Sequence, residues 1–97
     1  MEMVDHVLYL TAQIDNDISE RHDVAEAVKK ALQRFNNCDY GKIGEEDTAS
    51  NNRDLENETG HVLGRYGTPN GDIYINLIFD ETGRGRHAAT IMYCSDY

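Results

Sequence analysis

The side chains of this 97-residue chain that could bind metal or move protons are eighteen aspartates and glutamates, four histidines and two cysteines. Asp54-x-Glu56-x-Glu58 starts like a calcium loop, with carboxylates at alternate positions. Such a loop needs Gly at its sixth position and a bidentate Glu at its twelfth; here these are Thr59 and Arg65. Asp15-x-Asp17 lacks the following Gly as well. His6, His22, His61 and His87 are scattered, and none stands at ligand spacing from another or from Cys38 or Cys94. No metal and no cofactor is expected. Neither a G-x-S-x-G elbow nor a cysteine in a thiolate-forming motif occurs. The carboxylates read as solvated surface rather than as an acid–base pair, so an enzyme is not expected.

What the acids can do is set a field. Eighteen of them face nine Lys and Arg, a formal charge of −9. The excess is concentrated between Asp39 and Glu58, where Asp39, Glu45, Glu46, Asp47, Asp54, Glu56 and Glu58 oppose only Lys42 and Arg53. Such a surface attracts basic proteins and repels nucleic acid. Three readings fit it: a solubilising face, a set of carboxylates imitating backbone phosphates, or a docking site for one basic protein without mimicry. The only concentrated bases, Gly83-Arg84-Gly85-Arg86, cannot offset the acids and read as a flexible loop.

The length allows one domain, residues 1–97, with a single core. The start, Met1-Glu2-Met3-Val4-Asp5-His6, carries acids where a secretory signal needs bases. No apolar run reaches membrane-spanning length. The two cysteines therefore read as reduced thiols in a cytoplasmic protein.

The elements that must position these residues follow from periodicity. Val7 to Ile14 is short and β-rich and precedes the turn formers Asp15-Asn16-Asp17, which predicts a strand. Val24, Ala27, Val28, Ala31, Leu32 and Phe35 recur at helical spacing, with Asp23 and Glu26 placed as a capping box. In the acidic stretch Ala49 and Leu55 give a thin apolar contact, compatible with a short surface helix or an ordered loop. His61–Tyr66, a turn at Thr68-Pro69-Asn70-Gly71-Asp72, Ile73–Phe79 and Ala88–Tyr93 read as a β-meander. The sum is an α+β domain, β-α-(α)-β-β-β, with an antiparallel sheet of three to four strands and one main helix on one face. Of the tyrosines, Tyr40 and Tyr97 are expected to be exposed, and Tyr66, Tyr74 and Tyr93 to sit at the core boundary.

From Tyr40 onward the chain resembles a family of small proteins carried by bacterial plasmids, integrative elements and phages. Their pattern runs W-G-x-[LVI]-x-x-E-D-x-x-x-N, then [LS]-x-x-Y, then W-I-x-T-E-x-D-R and T-T-x-L-x-P-x-E-Y. Tyr40-Gly41-Lys42-Ile43-Gly44-Glu45-Glu46-Asp47-Thr48-Ala49-Ser50-Asn51 follows the first part. Leu63-Gly64-Arg65-Tyr66 and Ile73-Tyr74-Ile75 follow the middle, and Ala89 to Tyr97 the end, with Asp for Glu and Cys for Pro. Phe79 to His87 departs from it. The resemblance implies a mobile-element setting in a bacterial host and brings no catalytic residues.

Two functions are expected from these observations. One is a non-catalytic inhibitor that binds a basic nucleic-acid-handling protein, such as a defence nuclease, through the acids from Asp39 to Glu58. The other is a homo-oligomeric module in which an exposed edge strand, Ala88 to Tyr93, pairs with its mate and the acids serve solubility. Glu46, Asp47 and Asn51 belong to the family pattern and could be structural. Asp39, Asp54, Glu56 and Glu58 are then the contacts expected to be peculiar to this protein.

Overall fold

The computed structural model describes residues 2–97. Strand β1 (Val7–Leu10) leads through helices α1 (Ala12–Glu20), α2 (His22–Asn36) and α3 (Glu45–Asn57) into strands β2 (His61–Tyr66), β3 (Ile73–Ile78) and β4 (Ala88–Tyr93), then a 3-10 turn, Cys94–Asp96. The domain is α+β. Its four strands lie in the order β1-β4-β3-β2. The meander β2-β3-β4 is antiparallel, with Gly64 opposite Ile75 and Ile75 opposite Ile91. β1 runs parallel to β4, Val7 opposite Ala88 and Leu10 opposite Ile91. The sheet is therefore mixed, and β4 is a central strand. Ala88 to Tyr93 has a neighbour on each side and cannot be the edge through which copies pair.

The alternation expected of the meander places Val62, Tyr66, Ile73, Ile75, Leu77, Ala89, Ile91 and Tyr93 on one buried face. Val24, Val28, Ala31 and Phe35 of α2 and Ile14 of α1 complete a single core with them. Full burial of each large apolar side chain contributes about 1.5–3 kcal/mol. Among the described residues no α-helix packs on the opposite face. There Tyr74 meets Tyr97 edge-on at 5.2 Å, and the Arg65 guanidinium stands 5.8 Å over the Tyr74 ring.

Two local expectations are corrected. The predicted strand from Val7 to Ile14 stops at Leu10, because Thr11 caps a helix: its hydroxyl accepts the Ile14 N–H at 3.4 Å. Ile14, Asp17 and Ile18 then face inward at helical spacing, which outweighs the turn preference of Asp15-Asn16-Asp17. The expected capping box at Asp23 does not form. Arg21 precedes the helix, and Asp23 lies in its first turn, accepting from Val24 N at 2.9 Å and from Arg21 at 3.1 Å. The thiols of Cys38 and Cys94 are free and half-buried. No helix among the described residues is long and apolar enough to cross a membrane.

Candidate functional site: the acidic helix on the β2 edge

The acidic segment is held by polar anchors. After α2 the chain reverses at Cys38, whose φ is 62°. It then runs briefly alongside β2: Arg65 N–H donates to the Tyr40 carbonyl at 3.0 Å, and Lys42 N–H donates to the Arg65 carbonyl at 2.8 Å. Gly41 between them has φ 71°, and a Cβ there would lie 2.1 Å from the Arg65 oxygen, so the close approach requires glycine. Helix α3 follows and continues the coverage. The Asn51 amide accepts the Leu63 N–H at 3.0 Å and donates to the Leu63 carbonyl at 2.8 Å. Asn51 thus stands in for the peptide of a neighbouring strand. Tyr40 Oη donates to Asn52 Oδ1 at 3.0 Å, and Leu55 is buried beneath the helix. Tyr40, expected to be exposed, is 4% exposed because Asn52 satisfies its hydroxyl. Tyr97, at 77%, is exposed as expected.

The seven acids separate into two groups. Asp39 is paired with Arg34 at 2.8 Å and accepts the Gly41 N–H at 3.1 Å. The Arg34 contact, followed by that N–H, holds its carboxyl below the usual carboxylate range. Asp54 is half-buried, with Arg53 at 3.9 Å. Glu58 adopts the left-handed cap of α3 at φ 52° and meets His87 Nε2 at 3.3 Å. Glu45, Glu46, Asp47 and Glu56 are exposed, and among the described residues none of them has a hydrogen bond or ion pair. Of Asp39, Asp54, Glu56 and Glu58, the contacts expected to be peculiar to this protein, only Glu56 lacks a local partner among the described residues. Glu46, Asp47 and Asn51, expected to serve as caps of a short helix, do not cap it: Gly44 is the N-cap of α3 with no side-chain cap, and Asn51 holds Leu63 instead.

Geometry sets what the free carboxylates can do. Glu45, Glu46 and Asp47 occupy the first turn of α3, where the helix dipole favours negative charge. Glu56 lies about 17 Å further along the axis at 1.5 Å per residue. Exposed Arg53 falls between the two groups and touches Ser50 at 3.3 Å. The helix therefore offers a tight triplet and one distal carboxylate rather than an unbroken row. Among the described residues, no hydrogen bond joins any of them to a histidine or a hydroxyl group.

Other polar groupings were invisible in the sequence. Asp17, Asn70 and Tyr93 meet from three separate elements. Tyr93 Oη donates to Asp17, Asn70 Nδ2 donates to Asp17 at 2.9 Å, and Gln13 donates to the other Asp17 oxygen at 3.1 Å. The Tyr93 bond leads in holding the Asp17 carboxyl low, and burial leads in pushing the Tyr93 hydroxyl up. This cluster joins α1, the β2–β3 turn and β4, and its acceptors are occupied. The loop after β3 also carries hydrogen bonds of its own. Asp80 accepts from Thr82 N at 3.1 Å and from the Gly85 N–H, and its own N–H donates to His87 Nδ1 at 2.9 Å. Arg86 faces Asp5 at 3.4 Å. Among the described residues no three His, Cys, Asp or Glu side chains gather as a metal site. His61 and Glu81 do line an open hollow of about 330 Å³ beside Asn76 and Tyr97, without a hydrogen bond between them.

No family model, curated protein or solved structure matches the chain. The likeness to plasmid and phage proteins rests on its motifs alone.

Proposed function

We propose that this is a non-catalytic acidic protein that binds a basic nucleic-acid-handling protein in a bacterial cytoplasm. In this reading it occupies a cationic groove of a defence nuclease in place of nucleic acid. The observation that carries the reading is the set of unpaired carboxylates, Glu45, Glu46, Asp47 and Glu56, on a helix clamped to the sheet edge by Asn51, Asn52 and Leu55. Carboxylates on a fixed support lose little freedom on binding, and their field speeds encounter with a basic surface. Asp39, Asp54 and Glu58 contribute less, because each already faces a local base. The motif resemblance supplies the mobile-element setting.

The test is affinity capture from a bacterial host by the tagged chain at low and raised salt. It is repeated with the combined Glu45→Gln, Glu46→Gln, Asp47→Asn variant. A basic nuclease or other nucleic-acid-handling protein, retained at low salt and lost by the variant, is the expected result. Equal capture by both forms sinks the role of the triplet. The alternative is a homo-oligomeric module whose acids serve solubility, favoured by the bare β1 edge; it predicts an unaltered oligomer in the variant and no basic partner.

A further inference from the structure

The two edges of the sheet are treated differently. At β2, Asn51 occupies both backbone groups of Leu63, and the Tyr40–Lys42 segment occupies those of Arg65. At β1 no such cover exists among the described residues. Val7 and Thr11 donate to the His87 and Ile91 carbonyls at 2.8 and 3.1 Å, which aims residues 7, 9 and 11 at β4. The backbone groups of Leu8 and Leu10 therefore point away from the sheet. The strand is Val-Leu-Tyr-Leu, with Leu8, Tyr9 and Leu10 exposed at 39, 56 and 37%. It carries no Lys, Pro or bulge, and its shortness, four residues, is its one defence as an edge. Asp5, just before the strand, faces Arg86 at 3.4 Å, while Asp15, beyond it on α1, is exposed.

The geometry points to a second copy of this chain as the occupant, paired antiparallel along β1 to make one eight-stranded sheet. A two-fold axis at Tyr9 sets Leu8 opposite the other copy's Leu10 and uses every free backbone group of Leu8 and Leu10. Leu8 and Leu10 share the face of Ala89 and Ile91, so four leucines meet there, and the two Tyr9 rings meet on the other face. Of the two edges, β1 is the one remote from the acidic helix. The acidic helix α3 lies on the far edge, so pairing through β1 puts the two acidic segments at opposite ends of the joint sheet. At about 4.8 Å per strand, that separation is several Debye lengths of about 8 Å, and the segments do not repel. A seam of four residues a side is far below the 20–30 of a tight interface, so pairing should be weak and show only toward millimolar concentration. The inference is independent of what α3 binds.

Sedimentation of the full chain over about 1 µM to 1 mM tests it. A rise from one to two chain masses is expected, and a single chain mass throughout overturns the proposal. Leu8→Pro removes an outward N–H while leaving the donors toward β4 in place, and it should weaken pairing at least tenfold, from the loss of one hydrogen bond per copy. Ile78→Lys, on the uncovered face, should leave pairing unchanged. A dimer indifferent to Leu8→Pro but lost in Ile78→Lys assigns the contact to the uncovered face and refutes the β1 seam. Tyr9→Cys gives a readout that does not depend on destabilising anything. Directly opposed residues at a non-hydrogen-bonded site lie about 4.5 Å apart at Cα, within disulfide reach. Mild oxidation should crosslink this variant to a dimer in high yield, and failure to do so at millimolar concentration overturns the axis.

Discussion

Replacing Asn51 by Ala removes the side chain that closes the β2 edge. Asn51 is 5% exposed and makes hydrogen bonds of 3.0 and 2.8 Å to the two backbone groups of Leu63. The variant leaves that N–H and C=O facing an apolar methyl under α3. A buried backbone group left without a partner costs about 1–3 kcal/mol. Two such groups, partly relieved by movement of the helix, give a loss of about 2–4 kcal/mol, a large share of the roughly 5–15 kcal/mol of a small domain. With a urea slope of about 1–2 kcal/mol/M, the midpoint should fall by about 2 M. Asn51→Asp separates hydrogen bonding from packing. The introduced carboxylate keeps the acceptor for Leu63 N–H but sets an oxygen against the Leu63 carbonyl, so at pH 7 it should cost at least as much as Ala. Protonation restores a donor, so the folded form of this variant binds its proton more tightly than the unfolded form. Its deficit is then greatest above the raised folded value and shrinks as pH falls toward the ordinary value near 3.9. Urea titrations followed by circular dichroism at pH 7 and 5 measure both effects. A loss below about 0.5 kcal/mol for Asn51→Ala would mean that water replaces the amide, and would refute the strand-surrogate reading.

Gly41→Ala should lower the melting temperature by more than about 8 °C, since left-handed strain and the clash with the Arg65 oxygen together exceed about 2 kcal/mol. Gly71→Ala, at φ 114° with open space around it, carries only the strain and should lose less in the same calorimetric scan. Acid should unfold the protein through carboxylates held low by their partners. Asp72 between Lys42 and Arg65, Asp39 beside Arg34, and Asp17 under Tyr93 all have lowered folded values. Their stabilisation is complete above the unfolded value near 3.9 and is lost as pH falls through the folded values. Urea midpoints should therefore drop between about pH 4 and 2; an unchanged midpoint at pH 3 contradicts these pairings.

The sequence displayed what rests on apolar periodicity. Val24 to Phe35 and the alternating Ile73, Ile75 and Leu77 could hardly be other than a helix and a strand with one buried face. It concealed what rests on polar contact or distant pairing. Helix α3 buries little besides Leu55 and owes its place to Asn51 and Asn52, so a search for hydrophobic stripes could not separate it from a loop. Helix α1 had a signal, Thr11 three residues ahead of Ile14, but Asp15-Asn16-Asp17 masked it with strong turn propensity. That β1 joins β4 in parallel, displacing Ala88 to Tyr93 from the edge, depends on a register across most of the chain, and nothing local encodes it. Among the acids, sequence gave the cluster but not its pairing. His87 reaches Glu58 only once α3 and the approach to β4 are in place, and Arg34 reaches Asp39 only through the reversal at Cys38.

The parallel pairing of β1 with β4 also has a temporal side. Val7 meets Ala88, 81 positions later, and among the described residues β1 has no other strand beside it. The meander closes through short turns, but β1 must wait for β4 to be made. At a synthesis rate of about 5–20 residues per second the wait is about 4–16 s, far longer than the microseconds in which a hairpin forms. For that interval Val-Leu-Tyr-Leu is a bare apolar segment on a nascent chain, open to a chaperone or to the same segment on a neighbouring ribosome. Synthesis rate, rather than final stability, then becomes the lever on the yield of native protein.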